Sequence, residues 1–208
     1  MADRAEVRSA LDAALRAHDR PTTVEIALSA IDDGSVSVEQ LYEVLAAILV
    51  DTGAAWQTGT VEVWKEHLVS GIVRTVVEAC LSRVEAAAPD ERQATVVLAA
   101  PDDEYHDLGL RMLADRFTLA GWRAHFLGAA VPVGELTGAV RELDADAVAL
   151  TASTHFHRLR LGSYVSALTE ALPDLRVWVG GPAFAHDHDQ WPAEMVLDPR
   201  SVPRAGGG

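Results

Sequence analysis

The sequence predicts an α + α/β fold, in which an N-terminal four-helix bundle precedes a Rossmann-like (flavodoxin-like) domain with a parallel sheet. Two observations carry this prediction. Up to about residue 88 the apolar residues recur at helical spacing, whereas beyond it short apolar runs alternate with helix-length segments. We therefore divide the chain into a bundle at residues 1–88 and an α/β domain at residues 89–208.

The bundle half contains four groups of apolar residues that lie three or four positions apart. Residues 19–21, 32–35 and 57–60 separate the groups and carry Pro, Gly, Asp or Ser, which end or begin helices. Short breaks of this kind favour antiparallel neighbours, so we expect an antiparallel bundle. The groups are Val7, Leu11, Ala14 and Leu15; Val24, Ala27, Leu28 and Ile31; Leu41, Val44, Leu45, Ile48 and Leu49; and Val69, Ile72, Val73, Val76 and Val77.

The second half alternates predicted strands with predicted helices. Helices of this length between strands indicate parallel crossovers, hence a doubly wound sheet with its binding crevice at the carboxyl ends of the strands. The C-terminal segment PRAGGG is expected to be disordered. The strands are expected at Thr95–Ala100, Ala124–Leu127, Ala147–Leu150 and Val177–Val179, with Met195–Leu197 a fifth candidate, and the helices at about 107–120, 133–143 and 158–171.

The charge balance argues against a nucleic-acid surface. The 208 residues include 17 basic and 31 acidic side chains, a net charge of −14, and no Lys or Arg cluster stands out. The start of the chain lacks an apolar signal segment, and no apolar run reaches the ~18 residues of a membrane span. We expect a cytoplasmic protein with no membrane contact and no direct contact with DNA or RNA.

Three segments follow predicted strands and should share one rim of the sheet. They are the run EYHDLG from Glu104 to Gly109, the run Thr151-Ala152-Ser153, and the pair Gly180-Gly181. Between Gly109 and Thr151 lie 41 residues, and between Ser153 and Gly180 lie 26. Taken alone, a histidine and glycines at strand ends would be ordinary turn residues, but three segments with these gaps are specific.

The spacing resembles the cobalamin-binding domain family over roughly residues 94–198. The family pattern has an acid, His and Gly in the first segment, a Ser-x-Leu segment and a Gly-Gly pair; here Glu104 stands where Asp is commoner, and Thr151-Ala152-Ser153 replaces Ser-x-Leu. The resemblance implies that His106 is the lower cobalt ligand, with Glu104 or a hydroxyl bonded to its other nitrogen. It also implies that Thr151, Ser153, Gly180 and Gly181 leave room for the nucleotide tail.

The bundle carries a second pattern, Trp56 followed by nine residues and then Glu66-His67. This pattern resembles light-sensing cobalamin regulators of the CarH/LitR type and their stand-alone relatives of the AerR type. The resemblance implies that the bundle covers the upper face of the corrin and that Trp56, Glu66 and His67 lie near the adenosyl group of adenosylcobalamin; methylcobalamin and hydroxocobalamin are other possible forms. Many such sensors have His after the Trp, where this chain has Gln57, so we expect no second imidazole ligand from that position after illumination.

Three other interpretations stay open. Trp56 and Trp64 could be bundle core and interface, with Glu66-His67 a solvated helix face. The chain could be a corrinoid carrier for a methyltransferase, since such carriers resemble this layout at this length. A scaffold without cofactor is the third. The Trp-x9-Glu-His pattern favours light sensing, because a methyl carrier must open its upper face to partners.

Two histidine-rich segments are weaker candidates for a zinc site. His155-Phe156-His157 and His186-Asp187-His188-Asp189 follow the third and fourth predicted strands, where polar loops are ordinary. His155 and His157 could instead flank the nucleotide tail.

The sequence therefore predicts a cobalamin-dependent light sensor, with no enzymatic activity. No helix-turn-helix module precedes the bundle, so we expect the output to be a protein partner in transcriptional control or a change in self-association.

Overall fold

The computed structural model describes residues 3–185 and 191–206, which form two compact units. The first unit is Met1–Ala86 and the second is Ala87–Gly208. The division falls two residues before the one expected from the change in hydrophobic periodicity.

The first unit contains the four expected helices. They are α1 (Arg4–Arg16), α2 (Arg20–Asp32), α3 (Val38–Gln57) and α4 (Val63–Ala79). Their apolar stripes form the core, in which Leu11, Leu41 and Val73 are fully buried. A short helix that the periodicity did not predict, α5 (Leu81–Ala87), follows α4.

Side chains cap three of these helices as their sequences suggest. Asp3 forms a capping box with Glu6 at the start of α1, and Ser37 forms one with Gln40 at the start of α3. Asp19 caps α2 by accepting a hydrogen bond from the backbone N–H of Thr22. These caps satisfy N–H groups that the first turn of a helix leaves free.

The second unit is a four-stranded parallel sheet with helices on both faces. Its elements, in chain order, are β1 (Ala94–Ala99), α6 (Leu108–Leu119), β2 (Trp122–Gly128), α7 (Val133–Glu142), β3 (Ala147–Thr151), α8 (His155–Ala171) and β4 (Arg176–Gly180). The strand order is β2-β1-β3-β4. The expected Rossmann-like fold is confirmed.

Alternate residues of the strands face the two helical layers. Val97 and Val148 pack toward α7 and α8 in one core cluster, whereas Leu98 and Ala149 pack toward α6 in the other. Phe117, on α6, stacks on Trp178 with ring centroids 5.5 Å apart. Because both faces are covered, the two central strands β1 and β3 are almost continuously buried, as parallel strands usually are, whereas the edge strand β2 is partly exposed.

Two expectations about the C-terminal part are wrong. Met195–Leu197 is not a fifth strand: its first residue is the last of the short 3₁₀ turn Ala193–Met195, and the segment contributes one isolated bridge, between Val196 and Val179. The tail through residue 206 is held in place, since Pro203 accepts a hydrogen bond of 2.7 Å from the Trp122 indole.

The strand order positions the candidate site. The chain runs outward to β2 on one side of β1 and to β3 and β4 on the other, so the order reverses between β1 and β3. At such a point the loops that follow the two strands diverge to opposite faces and leave a crevice at their carboxyl ends. The loop after β1 carries Glu104 and His106, and the loop after β3 carries Ser153.

No helix within residues 3–185 and 191–206 combines the length and apolar character needed to cross a membrane.

Candidate functional site

The loop after β1 is fixed by hydrogen bonds to its neighbours. The backbone N–H of Glu104 donates to Pro101 O at 3.0 Å, and its carbonyl accepts from Ala130 N at 3.1 Å. The buried Tyr164, on α8, accepts from Asp102 N and donates to Val131 O, each at 2.9 Å. Tyr164 therefore ties the loops after β1 and β2 together, a role that its sequence position does not reveal.

Glu104 is the centre of the polar network. Its side chain is fully buried and accepts hydrogen bonds at both oxygens. Oε1 accepts from His106 N at 2.9 Å and from His106 Nδ1 at 2.8 Å. Oε2 accepts from Ser153 N at 2.7 Å and Ser153 Oγ at 2.6 Å, and lies 2.8 Å from His157 Nδ1. One carboxylate thus joins the loop after β1 to the start of α8.

These contacts keep Glu104 ionised. Burial alone would raise the pKa of its carboxyl group, but hydrogen bonds from Ser153 and His106 outweigh that effect and lower the pKa below its ordinary value. An ionised carboxylate has no proton to give. Each imidazole Nδ1 within hydrogen-bond distance of it must therefore carry the proton and donate.

The contact with Glu104 fixes the tautomer of His106. With the proton on Nδ1, a neutral imidazole has its free lone pair on Nε2. The His106 side chain is 75% exposed, and among the described residues no hydrogen bond engages its Nε2. An exposed imidazole nitrogen backed by a carboxylate is a donor suited to a transition metal. The expected contact between Glu104 and His106 is present. The hydroxyl that was expected as an alternative partner of His106 is that of Ser153, which bonds Glu104.

The glycines of the three segments differ in what they make room for. Gly181 has φ of 100°, and a Cβ there would lie 2.5 Å from both Ala152 O and Thr151 Oγ1. Gly181 therefore permits the close approach of the loops after β3 and β4. At Gly109, in the first turn of α6, a Cβ would have no described atom within 4 Å beyond its own helix and would enter open space. Gly180 is intermediate, with Leu197 O 3.3 Å from such a Cβ.

His155 and His157 do not lie in a loop as expected. Helix α8 begins at His155, three residues earlier than predicted, with Thr154 as its N-cap. His155 Nδ1 lies 2.9 Å from the guanidinium of the buried Arg158, and His157 points to Glu104. The Thr154 cap is the sequence signal that would have found this helix start.

A zinc site gains no support. Within residues 3–185 and 191–206, no three His, Cys, Asp or Glu side chains converge in a way that could hold a metal ion. The second candidate segment, His186-Asp187-His188-Asp189, lies outside the described residues.

The bundle residues lie at one end of the α3 and α4 helices. Trp56, in the last turn of α3, is 46% exposed, and Trp64 is exposed as well, so neither is bundle core. Glu66 accepts from Ser70 Oγ at 2.7 Å and lies 2.5 Å from His67 Nδ1. In the part of the chain that the structure describes, no hydrogen bond or ring contact joins Trp56 to Glu66 or His67.

The geometry of the α/β unit fits a corrinoid. His106 offers one exposed nitrogen donor, as a cofactor whose metal already has four ring ligands requires, and Gly109 leaves open space beside the same loop. The fold and this site define a class of cobalamin-binding proteins in which a helical domain precedes a parallel-sheet domain.

Known protein families that match this chain support the assignment to cobalamin-binding proteins. One B12 binding domain family matches residues 94–197, half of the chain, and a second family of the same description matches residues 7–81. The chain belongs to the B12 binding domain family.

The most similar relatives include two repressors from Myxococcus xanthus. The chain is 36% identical over 177 residues to the HTH-type transcriptional repressor CarH, an alignment that takes 85% of this chain and 58% of that protein. It is 32% identical over 112 residues to the HTH-type transcriptional repressor CarA, covering 53% of this chain and 36% of that one. The chain thus spans less than two thirds of the length of these curated relatives.

Among solved structures, the Methanosarcina barkeri monomethylamine corrinoid protein superimposes with a TM-score of 0.73 at 16% identity, covering 90% of this chain and 88% of that chain. At this identity the match shows a shared fold.

Proposed function

We propose that this chain is a cobalamin-dependent light sensor that holds adenosylcobalamin and signals to a partner in transcriptional control. The observation that carries the proposal is the carboxylate-held His106, whose side chain is largely exposed at the carboxyl edge of the sheet. The 36% identity to a transcriptional repressor, over a stretch that takes most of this chain, supports a regulatory role.

His106 is the proposed lower cobalt ligand. Glu104 holds the ring by its Nδ1–H, which fixes the tautomer and raises the donor strength of Nε2. Ser153 anchors the carboxylate through its N–H and its hydroxyl, so that the ring orientation is set before the cofactor binds. Gly109, Thr151, Ser153, Gly180 and Gly181 are the proposed neighbours of the nucleotide tail.

Trp56, Glu66 and His67 are the proposed residues for the adenosyl group. Adenosylcobalamin would supply a cobalt–carbon bond that visible light breaks. An exposed indole offers a flat apolar surface with one N–H donor, and a Glu–His pair offers groups that bond hydroxyls and ring nitrogens. Polar and apolar groups of this kind distinguish an adenosyl group from a methyl group.

The proposed output is a protein partner or a change in self-association, without catalysis. A net charge of −14 repels a phosphate backbone, so direct contact of this chain with nucleic acid is disfavoured. Loss of the adenosyl group would change which bundle contacts are satisfied, and a bistable element could convert that change into altered binding.

The second candidate function is a corrinoid carrier for a methyltransferase. The observation that favours it is the fold shared with a corrinoid protein over nearly the whole chain. A carrier needs an upper cobalt face that partner enzymes can reach, and it has no use for selection of an adenosyl group.

The test compares dark and illuminated protein loaded with adenosylcobalamin, by absorbance and size-exclusion chromatography, with methylcobalamin and hydroxocobalamin as parallel samples. A sensor should bind adenosylcobalamin most tightly and change its elution volume with light. Equal binding of all three forms, with an elution volume indifferent to light, would refute the sensor and favour the carrier.

A further inference from the structure

The carboxylate of Glu104 is shared by two imidazoles. His106 Nδ1 lies 2.8 Å from Oε1, and His157 Nδ1 lies 2.8 Å from Oε2. His157 lies on α8, and its side chain is only 13% exposed, so it is largely buried within this site. Its sequence position does not predict a part in the ligand network.

Five donors converge on an acceptor with about four lone-pair positions. Oε1 receives the backbone N–H and the Nδ1–H of His106. Oε2 receives the N–H and Oγ–H of Ser153 and the Nδ1–H of His157, one donor more than its two lone pairs. Ser153 and the backbone of His106 already fix the orientation of Glu104. His157 is therefore not needed to orient the carboxylate.

The alternative tautomer of His157 does not fit. Its Nδ1 also lies 3.0 Å from Thr154 Oγ1 and 3.3 Å from Ser153 Oγ, and an unprotonated Nδ1 could accept from either hydroxyl. That arrangement would place a nitrogen lone pair 2.8 Å from Oε2, an oxygen that acts as an acceptor toward Ser153, and two lone pairs at this distance repel each other. Because Oε2 already accepts the N–H and the Oγ–H of Ser153, it has no place for a proton of its own, and His157 Nδ1 donates to it.

We propose that His157 is a positioning residue that acts on cobalt through Glu104 and His106. By donating to Oε2 it draws negative charge from the carboxylate, which then accepts a weaker hydrogen bond from His106 Nδ1–H. A less strongly held Nδ1–H makes Nε2 a weaker donor to a metal. His157 therefore makes the proposed lower ligand, His106, a weaker donor to cobalt, and the cobalt is more easily reduced. This inference rests on the proposed function only in taking His106 as the cobalt ligand.

Three variants separate this role from a structural one. His157→Ala removes the donor, while His157→Asn keeps an N–H close to the position of Nδ1. His155→Ala is the matched control, because that histidine lies on the same helical turn but is paired with Arg158.

The first measurement is NMR of the full chain without cofactor, with ¹⁵N-labelled histidine. The parent should show both His106 and His157 with the proton on Nδ1. His157→Ala should move the His106 Nδ1–H proton downfield, as a stronger hydrogen bond does, whereas His157→Asn and His155→Ala should leave it in place. An unmoved or upfield proton in His157→Ala, or an Asn variant that behaves like Ala, would overturn the proposal.

The second measurement is the cobalt midpoint potential of the cobalamin-loaded protein. His157→Ala should shift it to a more negative value, because a stronger imidazole donor favours the oxidised metal, and His157→Asn should restore the parent value. An unchanged or more positive potential in His157→Ala would contradict the role of His157. Neither measurement uses light, so their failure is distinguishable from a failure of the light-sensing function.

Discussion

Glu104 is the residue on which the site depends. It carries a buried charge that hydrogen bonds from Ser153, His106 and His157 compensate. We expect Glu104→Gln to lower cobalamin affinity about 10–100-fold, the usual effect of removing the partner of a ligating histidine. Isothermal titration with hydroxocobalamin measures it, and Glu104→Asp, the residue commoner in the family, is the control that should retain part of the affinity. Unchanged affinity in Glu104→Gln would refute the assignment.

Gly181 is fixed by its backbone and by the loops that it brings together. A side chain there would clash with Ala152 O and Thr151 Oγ1, and the φ of 100° is itself strained for any other residue. Gly181→Ala should lower the free energy of unfolding by at least about 2 kcal/mol, as strained substitutions do. Urea unfolding measures the loss.

Gly109→Ala is the matched control for Gly181→Ala. Its Cβ would enter open space, so the stability of the cofactor-free chain should stay the same or rise by up to about 1 kcal/mol with the better helix former. If Gly181→Ala unfolds no more easily than Gly109→Ala, the close approach of the two loops is not what Gly181 provides.

The site residues show what a sequence can and cannot predict at this scale. The pairing of Glu104 with His106 followed from two positions in one loop, because an acid and a histidine two residues apart can meet locally. The approach of His157 did not follow, since it required a helix that starts at His155 and a strand order that sets β3 beside β1. The spacing of residues along the sequence does not predict a tertiary contact of this kind.

At the scale of elements, helix α8 supports the site through Tyr164. Its hydroxyl bonds the backbone of Asp102 and of Val131, which are on the loops after β1 and β2. Tyr164→Phe leaves both backbone groups without this partner, so we expect a loss of about 1–3 kcal/mol in unfolding free energy. Thermal unfolding checks it.

Cobalamin affinity is a second measure of the two hydrogen bonds that Tyr164 forms. If the hydroxyl holds the loop that carries Glu104 and His106, then Tyr164→Phe should also weaken cobalamin binding. Thr137→Val is a suitable control, because the Thr137 hydroxyl bonds a carbonyl of its own helix α7. A Tyr164→Phe variant as stable as the parent would show that water replaces both bonds at no cost.

The end of α3 and the start of α4 contain the residues that are proposed to select the adenosyl group. Trp56→Ala and Glu66→Ala should reduce the preference for adenosylcobalamin over methylcobalamin, with the α/β unit still folded, because both residues lie in the bundle unit. Competition binding with the three cobalamin forms measures the preference. Trp64→Ala changes another exposed tryptophan, which lies outside the pattern, and is the control. A preference intact in both variants would mean that Trp56 and Glu66 do not select the upper group.

Hydrophobic periodicity predicted the long elements well and the short ones poorly. Four helices and four strands followed from repeating apolar positions, because each buries a regular stripe or face. Helix α5 has only Val84 as a buried residue, too little for a pattern. Met195–Leu197 has the composition of a strand, but Pro192 and the 3₁₀ turn leave it one bridge to β4. The C-terminal tail has no hydrophobic periodicity. It is held by a hydrogen bond that the Trp122 indole donates to the carbonyl of Pro203.

At the scale of the whole molecule, a helical unit and an α/β unit are joined in one proposed signalling protein. The α/β unit supplies the proposed lower ligand, and the bundle supplies the proposed selectivity for the adenosyl group. Gln57 stands where many of the sensors that this chain resembles have a second histidine, so we expect no imidazole ligand from that position after illumination and a change in assembly that is more readily reversed.

Amide hydrogen exchange, measured on dark and illuminated adenosylcobalamin-loaded protein, tests the central claim most directly, because it reports the response of the protein rather than of the cofactor. We predict that light increases exchange in peptides covering residues 52–70, at the ends of α3 and α4, while hydroxocobalamin-loaded protein, which has no adenosyl group, shows no change. Identical exchange in the dark and the light, in a sample whose absorbance shows that the cobalt–carbon bond has been broken, would contradict it.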